Sequence, residues 1–182
     1  MLRKLLITLL LTSILPGCSG MTPRDFAQSG PKLVIEEYFA GQTKAWGIFE
    51  DRFGTLRRQF TVLIDGKWDG KTLTLDERFD YKDGEKDRRV WRITKKDKDT
   101  YEGKAADVLG VATGKASGNA LNWTYEMDLK IGDGTLRVAF NDWMFLQSDG
   151  VLINRARVSK LGIDIGTVTL FFKKPEKVEA KM

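Results

Sequence analysis

From residue 32 onward, apolar and polar side chains alternate in short runs separated by turn-forming residues. Leu73, Leu75, Glu77 and Phe79 alternate with Thr72, Thr74, Asp76, Arg78 and Asp80. Leu121, Trp123, Tyr125, Met127 and Leu129 alternate with Asn122, Thr124, Glu126 and Asp128. Leu136, Val138, Phe140, Asp142, Met144 and Leu146 fall on one side of a third run, with Arg137, Ala139, Asn141, Trp143 and Phe145 on the other. A period of two sends successive side chains to opposite faces of a pleated strand, so each run predicts a strand with one buried face. Asp65-Gly66, Asp83-Gly84, Gly118-Asn119, Gly132-Asp133-Gly134 and Ser148-Asp149-Gly150 are residues that tight hairpins use because they tolerate positive φ. Weaker turn signals fall at 97–99 and 160–162. Only 33–40 offers an alternative, a short helix or a first strand. The pattern predicts an all-β domain over 32–174, an antiparallel barrel of about 8–10 strands whose closure removes exposed edges. The last strand, 163–173, is apolar on both faces and is expected to pack against the N-terminal segment. The charged tail 175–182 is expected to fray.

The N-terminus carries a different signal. Arg3 and Lys4 precede an apolar run, 5–15, that is too short to span a bilayer and fits the core of a signal peptide. The run ends in Leu15-Pro16-Gly17-Cys18, and Cys18 is the only cysteine in the chain. This resembles a bacterial lipoprotein signal, which implies removal of 1–17 and acylation of Cys18 as the first mature residue. Each buried methylene contributes about 0.8 kcal/mol, so two or three acyl chains hold a protein on a membrane almost permanently. Ser19 in place of Asp implies, by the Gram-negative sorting rule, the periplasmic face of the outer membrane. Residues 18–31 are expected to form the lipidated cysteine and a short polar tether.

Composition narrows the chemistry. The 182 residues contain no histidine and one cysteine, which excludes Ser-His and Cys-His nucleophiles, imidazole-bound zinc and an internal disulfide. The formal charge is +5, two units of which (Arg3 and Lys4) belong to the leader. This scattered excess forms no basic stripe, and no nucleic-acid partner is expected. Gly110, Gly114 and Gly118 lack the Lys-Ser/Thr ending of a phosphate loop and are expected to serve a kinked strand or close packing. No cofactor or metal site is expected, and with no nucleophile-base pair the chain does not read as an enzyme.

The candidate site comes from charges on apolar faces. Glu77 shares its face with Leu75 and Phe79, Arg89 with Trp91 and Ile93, and Asp142 lies between Phe140 and Met144. On 151–159 the parity is ambiguous, but Ile153, Arg155 and Arg157 fall together. A buried unpaired charge costs several kcal/mol, so such groups pair, stay near water or bind something. One expectation is a structural ion-pair network closing the barrel, with arginine stacked on tryptophan. The other is a ligand cavity in which Arg89 and Arg155 hold a carboxylate or phosphate head beside Glu77 and Asp142. Trp91, Trp123, Tyr125, Phe140 and Met144 would then line its apolar part. Two further readings are an accessory of an envelope complex, docking through Trp143 and Phe145, and a cofactor-free lipid isomerase or cyclase using Glu77 or Asp142. Arg52 is expected to close the barrel floor over Trp46.

These residues also carry a family resemblance. Cys18, Trp46-Gly47, Asp51-Arg52, Gly66-Lys67-Trp68-Asp69-Gly70, Leu75-Asp76-Glu77, Arg89-Val90-Trp91, Ala106-Asp107-Val108, Asp142-Trp143-Met144 and Asn154-Arg155 together resemble an uncharacterised family of bacterial lipoproteins, the domain of unknown function 3833. The resemblance spans nearly the whole mature chain and implies no activity. A looser likeness is to lipocalins, whose Gly-x-Trp and late arginine would correspond to Gly66-Lys67-Trp68 and Arg155. It implies a lipocalin-like barrel that binds an amphipathic, lipid or fatty-acyl ligand without catalysis.

Overall fold

The computed structural model describes residues 20–131 and 134–175. The expected signal peptide, Cys18 and most of the charged tail lie outside the described residues. The described chain is an up-and-down antiparallel barrel of ten strands. They are β1 (Gly41–Asp51), β2 (Leu56–Trp68), β3 (Thr72–Tyr81), β4 (Lys86–Lys95), β5 (Thr100–Lys104), β6 (Val108–Ser117), β7 (Ala120–Ile131), β8 (Gly134–Leu146), β9 (Leu152–Lys160) and β10 (Ile163–Lys173). Each strand pairs with the next in sequence, and β1 pairs with β10 to close the sheet. The all-β barrel expected from the alternation is the fold. Among the described residues, no helix is long and apolar enough to cross a membrane.

The alternating faces point as the pattern predicts. Leu73 and Leu75 on β3, Trp91 and Ile93 on β4, Leu121 and Trp123 on β7, and Val138 on β8 are buried inside the barrel. One expected turn is misplaced, and the reversals at 52–55 and 105–107 are not among those expected from the sequence. Asp65 and Gly66 lie within β2, and the chain reverses instead at 69–71, where Asp69 Oδ1 accepts the backbone N–H groups of Lys71 and Thr72. Gly66 is inward-facing, and its missing side chain leaves room for the Phe39 carbonyl. Of the three glycines that mimic a phosphate loop, Gly110 sits at a register shift, Gly114 lies under an aromatic ring and Gly118 forms a turn.

One end of the barrel is stoppered. The segment 33–39, including a single turn of helix α1 (Ile35–Tyr38), buries Leu33, Ile35 and Phe39 in the main core. The stopper is tied down by polar bonds on several sides. Leu33 N–H donates to the Gly118 carbonyl at 2.8 Å, and the Tyr38 hydroxyl lies 3.1 Å from the carbonyls of both Gly150 and Phe172. Glu36, 6% exposed, accepts hydrogen bonds from Lys95 and from the Tyr101 hydroxyl. Those partners hold its carboxyl below the usual range although burial opposes this. Part of the stretch expected to be a short polar tether, 18–31, is also built into the fold. Pro23–Phe26 forms one 3-10 turn, begun by a capping box between Thr22 and Asp25, and Phe26 packs on the outer wall against Trp143 and Phe145. The surface that would suit an envelope partner is occupied by the chain's own Phe26.

The opposite end is the mouth. Inward-facing Phe49, Phe60, Phe79, Tyr81, Leu129 and Leu136 near it are only half-buried. On the β7–β9 side a second small core of Met127, Val138 and Val158 narrows it. On the β2–β4 side Phe60, Phe79 and Tyr81 pack on one another, with Arg58 over the Tyr81 ring.

Candidate functional site

Strand register builds the site. Pairing of β3 with β4 sets Glu77 directly opposite Arg89, one step toward the mouth from Leu75 and Trp91. Pairing of β7 with β8 sets Trp123 opposite Asp142 and Tyr125 opposite Phe140. The result is a polar layer between the stoppered core and the smaller core at the mouth.

Arg89 is held along one edge of its guanidinium within this layer. Its Nε and Nη2 donate to Asp107 Oδ2 at 2.9 and 2.8 Å, and Nη2 lies 3.9 Å from Met127 Sδ. The guanidinium carbon stands 5.6 Å from the centre of the Phe79 ring. Burial works against the charge, but Tyr125, Glu77 and Asp107 outweigh it and raise the Arg89 pKa, so the group stays protonated.

The aromatic residues form a continuous wall. Trp91 meets Trp123 edge-on at 5.7 Å and Tyr125 at 5.3 Å, and Tyr125 stacks on Phe140 at 4.9 Å. The Trp123 ring lies flat over Gly103 and Gly114, where any β-carbon would overlap it. Small residues on β5 and β6 thus make room for a large ring projecting from β7.

Three carboxyl groups face one guanidinium. Burial pushes Glu77 up to about 7, with Arg89 partly offsetting it. Burial pushes Asp142 up to about 8, against the pull of Arg89 and a hydrogen bond with Tyr125. The Tyr125 hydroxyl is driven well above its ordinary range by burial and by the Asp142 charge. Two carboxylate oxygens in the layer, Asp107 Oδ1 and Asp142 Oδ1, are buried without a hydrogen-bond partner. Such orphaned acceptors are uncommon in folded proteins and ask for a donor. Near neutral pH the layer contains one fixed ion pair and two acids that hold or release a proton within a narrow range.

Seven of the nine ligand-lining residues expected from sequence meet here: Glu77, Arg89, Trp91, Trp123, Tyr125, Phe140 and Asp142. Met144 faces inward but packs against the stoppered core. Arg155 does not belong to the site. The inward residues of β9 are Leu152, Asn154, Ala156 and Val158, so Arg155 and Arg157 are exposed on the outer surface. Arg155 instead borders an outer hollow of about 310 Å³ with Arg52 and Asp164. It therefore cannot take the lipocalin arginine's place beside Trp68. Trp46 also faces outward, under Lys44 Nζ at 5.1 Å, while Arg52 lies over Phe53 at 4.8 Å. Arg52 closes no floor over Trp46. Sequence reading missed Asp107, which sits in the β5–β6 turn where alternation gives no signal.

The family model for a protein of unknown function (DUF3833) matches residues 12–174, nearly the whole chain. No curated protein matches it.

Proposed function

The chain belongs to the DUF3833 family of proteins of unknown function, and from the site itself we propose that it is a membrane-anchored lipoprotein that binds a single-chain amphiphile, of lipid or fatty-acyl type, inside its barrel. The observation that carries this reading is the gradient along the barrel axis. Half-buried inward aromatics at the mouth lead to a polar layer with unpartnered buried acceptors, and a packed stopper lies behind it. A site that is mostly apolar, with a few converging polar groups, is the usual form of a pocket for a small amphipathic molecule. The protein acts as a binder or carrier, not a catalyst.

Acylation of Cys18 would supply the anchor, and the family match begins at residue 12, ahead of that cysteine. With Pro23–Phe26 docked on the wall, only a few residues separate Cys18 from the barrel. An extended residue spans at most about 3.6 Å, so the domain would ride close to the membrane, on the proposed periplasmic face of the outer membrane.

Native mass spectrometry after mild detergent extraction tests the reading. The expected spectrum shows the acylated chain with an added small mass that organic extraction removes. A spectrum of the acylated chain alone, under conditions that preserve a control lipid–protein complex, counts against it.

A further inference from the structure

Sequence pattern assigns Arg89 the task of holding an anionic head. The structure engages that arginine elsewhere. Its Nε and Nη2 go to Asp107, Glu77 stands directly opposite and Phe79 covers one face. An entering carboxylate or phosphate would compete with Asp107 for the guanidinium and share the layer with three acidic groups. We propose that the head group received here is a cation of the alkylammonium type, held by Asp142 and Glu77 beneath the Trp91–Tyr125–Phe140 wall. This inference rests on the ligand-binding reading above and specifies the chemistry of the same site.

Charge and hydrogen bonding agree on this assignment. Glu77 from β3, Arg89 from β4, Asp107 from the β5–β6 turn, and Tyr125 and Asp142 from β7 and β8 are the titratable groups facing the layer. Among the described residues, β1, β2, β9 and β10 turn no charged side chain into it. Arg58, at the rim, is held by Asp83 and Glu85 over the Tyr81 ring. Once Glu77 and Asp142 ionise, three carboxylates against one guanidinium leave an unmet capacity for positive charge. Asp142 is 6% exposed, and its Oδ1 accepts nothing. An ammonium offers three donors and no acceptor, the complement of such oxygens, and aromatic faces attract it further. A carboxylate would add only acceptors.

The arrangement also sets a pH dependence. Without a cation, burial holds Glu77 and Asp142 protonated up to about 7 and 8. Binding a cation requires them to ionise and releases protons. Affinity should therefore rise as pH increases through this range. An alkylammonium stays charged throughout, since the comparable lysine ammonium titrates near ~10.4.

The test uses the acylated full chain in zwitterionic nanodiscs, with empty nanodiscs subtracted. Octylamine, octanoate and octyl phosphate are titrated while tryptophan fluorescence is followed. Octylamine is expected to bind at least tenfold more tightly than either anion at pH 8, with that preference several-fold smaller at pH 6. Asp142→Asn should abolish most of the preference, and Glu77→Gln, checked for folding by circular dichroism, provides a second variant should the first not fold. An anion that binds as tightly as octylamine, or a preference unchanged in both folded variants, overturns the inference while leaving the ligand-binding reading in place. Absence of saturable binding by all three probes overturns that reading and the inference together.

Discussion

The melting temperature is expected to fall as pH rises from 5 to 8.5, and Asp142→Asn should remove rather more than half of that fall. The sign follows from linkage. Asp142 titrates near 3.8 when unfolded and is pushed up to about 8 in the fold; Glu77 goes from 4.5 to about 7. Between these limits the native state binds protons that the unfolded state does not, so each pH unit gained lowers stability. One unit for one group corresponds to about 1.4 kcal/mol, so the two groups together represent several kcal/mol across the window. At about 2–4 °C per kcal/mol for a domain of this size, the wild-type curve should drop by roughly 15–25 °C. The window is unusually clean because the chain has no histidine. The carboxyls held low by hydrogen bonds and ion pairs, among them Glu36, Asp76 and Asp128, contribute the opposite slope, which is confined to more acidic pH. Scanning calorimetry of both proteins at four pH values checks this. A flat wild-type profile would mean that Glu77 and Asp142 reach water freely.

Gly66→Ala should destabilise the barrel by roughly 3 kcal/mol or more, the range of overpacked core positions. A β-carbon at Gly66 overlaps the backbone oxygen of Phe39, which has no rotamer to change. Either β2 bends or the stopper lifts. Lifting it exposes Leu33, Ile35 and Phe39, each contributing about 1.5–3 kcal/mol through burial. Hydrogen exchange separates the two outcomes. Faster exchange at Tyr38 and Phe39, whose N–H groups bond to Val34 and Ile35, signals a released stopper. Melting within 1 °C of wild type and unchanged exchange at these amides contradict the tight fit.

Gly66 also shows how far a sequence can be read. A glycine after an aspartate signals a turn, yet the same residue types serve a place where another backbone presses against a strand. Nothing local distinguishes these uses; the approaching Phe39 carbonyl comes from 27 residues earlier in the chain. Faces are legible where large apolar residues alternate with polar ones, as on β3, β4, β7 and β8, and this places Glu77, Arg89 and Asp142 on inward faces. On β9 the inward positions include Asn154 and Ala156, one polar and one small, so hydrophobicity carries little parity and gives no sign that Arg155 points outward. Asp107 lies in a turn, outside any alternation, and only the closed barrel brings it to Arg89. Phe26, a lone aromatic in a polar stretch, shows no periodicity that would reveal its docking on Trp143 and Phe145.

The most direct measurement is anomalous diffraction from crystals grown with a single-chain amphiphile brominated at the end of its tail. A polar head at the Glu77–Asp142 layer places the tail toward the mouth. The bromine peak is expected inside the barrel, among Phe60, Phe79 and Phe140. A peak only on the outer wall, for instance beside exposed Trp46 and Phe171, would contradict an interior binding site.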